Sequence, residues 1–285
     1  MTHGDRFKRR LPQQFRCAND LLAFGMKLPT EKDLHSIKFP RDSVVTVIGL
    51  FTKAHVTYRA VIVLCEQGLD RPATALCRSL FETLVNMTFL VRRQITLSIF
   101  NDSRSKPRSP WPLHGKILTP EFRLALFNAW SILRDQKSIE GWRRTPGLKI
   151  HGRRTLKEII QLDKSYVDVI GPDWDKTIKR KNTCVGLDIA NFAASLGPMF
   201  RRWHRSVYTE GSTFLHQSDT PSYLEPTDDE NFAPRLFTSA EEVSGVLLRA
   251  ATVYFACVDE LNKRFRFGVT ARKRIERFAI RLRNW

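Results

Sequence analysis

The sequence predicts an all-α protein, a multi-helix bundle built around an antiparallel helical hairpin (43–67, 72–93) with long loops. Three observations lead there. Apolar residues recur at helical spacing over long stretches, while runs that alternate apolar and polar in the manner of strands are few. Between the two most apolar stretches lies GLDRP, whose glycine suits a left-handed helix end and whose proline suits the first turn of the next helix. With 285 residues, 42% of them hydrophobic, the chain can build a substantial core.

Taken in order, residues 12–27 form a first short helix, and PTEKDLHSIKFP, bounded by two prolines, connects it to the hairpin. Helix 43–67 opens at Asp42 or Ser43 and closes at Gly68; helix 72–93 carries Pro72 in its first turn. Four prolines and several basic residues make 101–120 a long surface loop, and loops of that length are often functional. Helix 120–137 follows, then the irregular basic stretch GWRRTPGLKIHGRR, a helix near 154–169 and the break GPDW. Residues 183–209 read as helix, bent near Gly197 and Pro198, and a polar loop runs from there to about 237. Helix 239–266 starts with a capping box, Ser239 and Glu242, which satisfy free backbone donors reciprocally. The last segment, TARKRIERFAIRLRNW, sets Ile275, Phe278 and Leu282 on a docking face and its cations around the rest. The expected organisation is an N-terminal helix and connector (1–42), a bundle domain (43–267) with an inserted subregion at 100–155, and a basic amphipathic helix (268–285).

Lys and Arg number 47 against 29 Asp and Glu, a formal charge of +18 and a pI near 10.1. Such an excess favours a polyanionic partner. Five cysteines without C-x-x-C spacing, three of them in apolar helical runs, read as reduced core residues of a cytoplasmic protein. The start, MTHGDRFKRRLPQQF, lacks the apolar core of a signal peptide. The most apolar segment, 44–65, is interrupted by Lys53, His55 and Arg59, so no run is expected to span a bilayer. The sequence holds no G-x-x-x-x-G-K-S/T loop, no H-E-x-x-H and no G-x-S-x-G, which leaves triphosphate hydrolysis, zinc proteolysis and serine-elbow chemistry without support. No cofactor and no metal are expected.

Arg78, Glu82 and Asn86 form one candidate cluster. Spaced four apart, they drift by about 40 degrees per step and make a narrow polar line on a helix that is apolar nearly all round. A charge held there needs a partner; Arg78 and Glu82 can pair across one turn, and Glu66 is a candidate third member. If Arg78 lies buried beneath it, Glu82→Ala strands a guanidinium and costs about 3 kcal/mol. The second cluster is MFRRWHRSVYTEGSTFLHQSD, with Arg201, Arg202 and Arg205 as nucleic-acid contacts and Tyr208, Glu210, Ser212 and His216 as polar neighbours. Histidine titrates near neutral pH and serves as general acid or base, although a loop histidine is also a common structural residue.

The string ATALCRSLFE (Ala73 to Glu82), a tryptophan-led helix at Trp174 and the Y-x-x-x-S-x-x-x-H segment at Tyr208, Ser212 and His216 resemble an uncharacterised bacterial all-helical family of unknown function, itself similar to the HEPN group. That resemblance, over about 40–267, implies an RNA-cutting toxin or antiviral defence component that works without metal, as a homodimer or with a defence-system partner protein. It implies catalytic roles for Arg78, Glu82, Tyr208 and His216. HEPN ribonucleases usually carry Arg, four to six residues, then His; Arg108 to His114 and Arg144 to His151 fit, about the number that chance supplies, and His216 has no Arg at that distance.

Two readings stand side by side. One is a metal-independent endoribonuclease, its basic surface holding RNA rather than DNA. The other is a non-enzymatic nucleic-acid-binding or protein-interaction module in which Arg78 and Glu82 are purely structural. In both, Arg272, Lys273, Arg277, Arg281 and Arg283 of the last helix are candidate phosphate contacts.

Overall fold

The computed structural model describes residues 3–28, 41–97, 113–143, 183–215, 224–226, 232–234 and 238–285. It is all-α. In chain order the elements are α1 (His3–Arg10), α2 (Pro12–Lys27), α3 (Arg41–Glu66), α4 (Asp70–Val91), strands β1 (Ile95–Thr96) and β2 (Ile117–Leu118), α5 (Pro120–Arg143), α6 (Ile189–Ser195), α7 (Pro198–Trp203), a π-helical turn (His204–Tyr208), α8 (Thr209–Leu215), β3 (Leu224–Pro226), β4 (Phe232–Pro234), α9 (Ala240–Phe265) and α10 (Val269–Arg283). Two compact units emerge: one of residues 1–91 and 202–285, the other of 92–201.

In the first unit α4 packs against α3, α9, α8 and the π-helical turn. The hairpin closes by a Schellman motif: Gly68, at φ 72°, donates to Cys65 O at 3.1 Å, and Leu69 donates to Leu64 O at 2.8 Å. A Cβ at Gly68 would lie 2.6 Å from the Phe7 ring, so the left-handed turn and its contact with α1 both demand glycine. Leu80, Phe81, Leu84, Val85, Met87 and Phe89 of α4 are fully buried. Burying one side chain of this size stabilises by roughly 1.5–3 kcal/mol. Leu76, on the same helix, is only half-buried.

A second knot ties α2, α3 and α9 together. Tyr58 and Tyr254 stack with centroids 4.4 Å apart, and Phe51 stacks on Tyr254 at 5.9 Å. The buried hydroxyls find partners: Tyr58 donates to Ala18 O at 3.3 Å, and Tyr254 OH meets His55 Nδ1 at 2.8 Å. A Cβ at Gly25 would sit 2.0 Å from that same hydroxyl, which is why α2 carries a glycine in its last turns.

The expected capping box is present, Glu242 N–H donating to Ser239 Oγ at 3.1 Å and Ser239 N–H to Glu242 Oε2 at 2.9 Å. On α10, Ala271, Ile275 and Phe278 are buried and Leu282 half-buried. All five cysteines are free and buried, and burial pushes the Cys77 thiol up to about 12, well away from thiolate chemistry.

Within the second unit β1 and β2 pair antiparallel, with Ile95 opposite Leu118. Arg123 is fully buried, and its guanidinium donates to the carbonyls of Thr119 at 3.3 Å, Arg93 at 3.3 Å and Arg92.

Several expectations need correction. The helix read over 183–209 is broken: residues 183–188 are turn, Asp188 caps α6 by accepting from Asn191 N–H, and α6, α7, the π-helical turn and α8 follow in succession. Helix 120–137 runs on to Arg143, and the loop before 237 contains the paired strands β3 and β4. The segment Val44–Glu66 has the length and mean hydropathy (1.4) of a membrane-crossing helix even with Lys53, His55 and Arg59 in it. Here it is packed against α2, α4 and α9. The basic loop at 101–112, the helix near 154–169, Trp174, Arg108, Arg144, His151 and His216 lie outside the described residues.

Burial, and secondarily Arg59, holds the His55 pKa below its ordinary 6.5. The unfolded chain therefore binds that proton more readily, so the contribution is intact above 6.5 and is lost as pH falls through the folded value. Denaturant midpoints measured at about pH 7.5 and about pH 5 should fall more in the native protein than in His55→Gln. Equal losses would show that His55 does not contribute.

Candidate functional site

The site forms where the polar line of α4 meets the π-helical turn and α8. A π-turn arises because Thr209 N–H bonds to His204 O, five residues back, and the Thr209 hydroxyl donates to the same carbonyl at 3.1 Å. Such turns insert one residue into a helix and are frequent at functional sites. Here the turn stacks His204 on Tyr208, centroids 4.9 Å apart at 20°, with the buried Phe81 ring at 6.4 Å and 6.2 Å from the two.

α8 then runs so close to α4 that a Cβ at Gly211 would stand 2.7 Å from Thr74 O and 2.9 Å from Arg78 Cβ. That approach brings Ser212 to Arg78, whose Nη1 donates to Ser212 Oγ at 3.3 Å. The guanidinium also lies over the Tyr208 ring, 4.6 Å from its centroid, and pairs through Nε with Glu82 Oε1 at 3.3 Å. From α8, Glu210 Oε1 pairs with Arg249 Nη2 of α9 at 3.0 Å. Burial raises the Tyr208 pKa, against the pull of Arg78 and with a further push from Glu82, so the phenol keeps its proton at neutral pH.

The structure thus gathers Arg78, Glu82, Tyr208 and Ser212, and adds His204, which the sequence reading left unassigned. Two expectations fail. Glu66 belongs elsewhere, paired with Lys8 Nζ at 3.0 Å, because the end of α3 faces α1. The Arg78–Glu82 pair is not sealed in the core either: the side chains are 21% and 38% exposed. The Asn86 amide donates to the Glu82 backbone carbonyl at 2.9 Å. Stacking of His204 on Tyr208 was foreshadowed by their spacing of four, but α8 was not: the sequence placed Gly211 in a loop after residue 209, where the structure has a helix.

Arg201, Arg202 and Arg205 are exposed, as are Arg272, Lys273, Arg277, Arg281 and Arg283. Two of these cations already hold carboxylates: Arg272 pairs with Glu276 at 3.1 Å and Arg281 with Asp20 at 2.9 Å. Among the described residues no group of His, Cys, Asp and Glu is arranged to hold a metal ion.

Because the pair is open to solvent, Glu82→Ala should cost no more than about 1 kcal/mol, rather than the roughly 3 kcal/mol expected of a buried pair. Gly211→Ala should cost more, about 1–3 kcal/mol, by forcing α8 off α4. Denaturant unfolding of both variants checks the ranking, and a larger loss in Glu82→Ala would return the pair to the core.

A family model matches residues 44–232, a span that takes in both helices of the hairpin, Tyr208 and Ser212. No curated protein and no solved structure matches the chain. The chain belongs to the Family of unknown function (DUF5677).

Proposed function

We propose that this chain acts on RNA as a metal-independent endoribonuclease, with the Arg78, Glu82, Tyr208 and Ser212 cluster as its reaction site. The observation that carries the reading is the open ion pair. An arginine held over a tyrosine ring, partly exposed and bonded to a serine hydroxyl, can exchange its carboxylate for a phosphate.

Metal-free cleavage needs three services. A base takes the proton of the 2′-hydroxyl, and that oxygen attacks phosphorus; a cation stabilises the charge on the pentavalent phosphorane; an acid protonates the departing 5′-oxygen as its bond to phosphorus breaks. The products are a 2′,3′-cyclic phosphate and a 5′-hydroxyl. Glu82 is the base within reach of Arg78, Arg78 the stabilising cation, and Tyr208, with its raised pKa, the donor. His216, assigned as a base from sequence, enters as an additional candidate. The charge of +18 and the exposed Arg202 and Arg205 favour an RNA substrate over a neutral one. Resemblance to RNA-cutting HEPN proteins adds the cellular part of the proposal: a cytoplasmic toxin or antiviral defence protein, acting as a homodimer or beside a partner protein.

The test is incubation of purified protein with total RNA in the presence of a metal chelator, with end-group analysis. Cleavage giving cyclic phosphate ends is expected, reduced about 10²-fold or more in Arg78→Gln and Glu82→Gln and less in His204→Gln. His216→Ala reports separately on that histidine. RNA that is bound but never cut, in the native protein as in the variants, would replace the enzyme by the non-enzymatic binding module.

A further inference from the structure

The chain places a second group of cations in a groove between α2 and α10. Both helices contribute at matching intervals: Asp20, Phe24 and Lys27 from α2, and Arg274, Arg277 and Arg281 from α10, around a cavity of 370 Å³. Residues three and seven apart share a flank of a helix, so the six cations of α10 divide between two sides. Arg274, Arg277 and Arg281 line the groove; Arg272 holds Glu276 on the other flank.

The floor is aromatic. Phe24 and Phe278 stack with centroids 5.6 Å apart, and both are buried. Arg274 lies 5.2 Å above Phe24 and Arg281 lies 5.5 Å above Phe278. A guanidinium laid on a ring keeps its N–H edge free to grip two oxygens of a phosphate. One carboxylate, Asp20, already sits at Arg281, where it occupies an anion's place through an ion pair that is half open to water.

We infer that this groove is a phosphate-binding subsite for single-stranded nucleic acid, in which a backbone phosphate displaces Asp20 from Arg281. Three guanidiniums, those of Arg274, Arg277 and Arg281, line one concave surface, and their concentration there favours an anion. The seven-residue span from Arg274 to Arg281 covers about 10 Å of helix axis, room for successive phosphates of one strand. A cavity of 370 Å³ is at the small end of ligand sites and admits a nucleotide unit but not a duplex. The buried phenyl rings offer no apolar wedge to a lipid surface. This inference rests on the reading of the chain as an RNA-acting protein, but its test is independent of catalysis.

The test uses a labelled single-stranded RNA carrying 2′-O-methyl groups, which supplies phosphates and has no 2′-hydroxyl to attack; binding is read by fluorescence anisotropy over a range of salt. Arg274→Gln with Arg277→Gln should weaken binding about tenfold or more and lower the salt slope by roughly 0.7 per lost phosphate contact. Arg272→Gln with Lys273→Gln, which removes the same charge from outside the groove, should do less. Asp20→Asn should tighten binding about threefold, while Glu276→Gln, which also removes one negative charge from the same region, should leave it nearly unchanged. An equal effect of the two Arg or Lys pairs, or of the two acid variants, overturns the groove. So does a duplex bound as well as the single strand, a mononucleotide that competes as well per phosphate, or displacement of the RNA by phosphatidylserine vesicles. Should the double arginine variant fail to fold, the comparison of Asp20→Asn with Glu276→Gln decides alone. Groove variants that bind the RNA as the native protein does, while the native protein cleaves RNA, reject only this inference; a native protein that binds through the groove but never cuts RNA rejects only the enzyme.

Discussion

The burial of α4 is the constraint from which the first unit follows. A helix apolar on nearly every side cannot lie at the edge of a bundle; it needs neighbours all round. α3 and α9 cover most of it, and the π-helical turn with α8 covers the strip beside the polar line. The last contact is possible only because Gly211 lets two backbones approach, and that approach brings Ser212 and Tyr208 to Arg78. Packing and site are therefore a single requirement: the contact that buries α4 also assembles the polar cluster.

Partial exposure decides what the Arg78–Glu82 pair is able to do. A fully buried pair is fixed, since removing either member strands the other in a low-dielectric interior. At 21% and 38% exposure, solvent screens the pair, its net contribution to stability is small, and exchange of partners costs little. What the surroundings do preserve is orientation. The Tyr208 ring beneath the guanidinium and the Ser212 hydroxyl bonded to it hold Arg78 in position whichever anion it meets.

The features legible in the sequence were those written locally. Gly68 and Pro72 marked the hairpin, Ser239 and Glu242 the start of α9, and Ile275 and Phe278 the docking face of α10; each is a signal carried within a few residues. Features that depend on distant partners were not legible. Nothing near Glu66 foretells that Lys8 rather than Arg78 will meet it, and nothing near Tyr254 foretells that Gly25 will face its hydroxyl. The π-helical turn lies between these cases: its spacing of His204, Tyr208 and Ser212 was visible, but an ordinary helix has the same spacing, and only packing against Phe81 separates the two.

The charge of the chain divides in the same way between what local composition states and what the fold decides. Acidic residues are scarce, and several are committed: Glu66 to Lys8, Glu210 to Arg249, Asp259 to Lys263, Glu276 to Arg272. Each such pair neutralises a cation where two helices meet or along one exposed face. The groove between α2 and α10 differs because its lining brings Arg274, Arg277 and Arg281 together beside the carboxylate of Asp20, which pairs with Arg281. Like charges set that close repel one another, and the repulsion is relieved by any anion that enters. Stacking on Phe24 and Phe278 keeps Arg274 and Arg281 from swinging away into solvent to relieve it themselves. The excess of +18 becomes a specific feature only where aromatic packing holds cations together against their own repulsion.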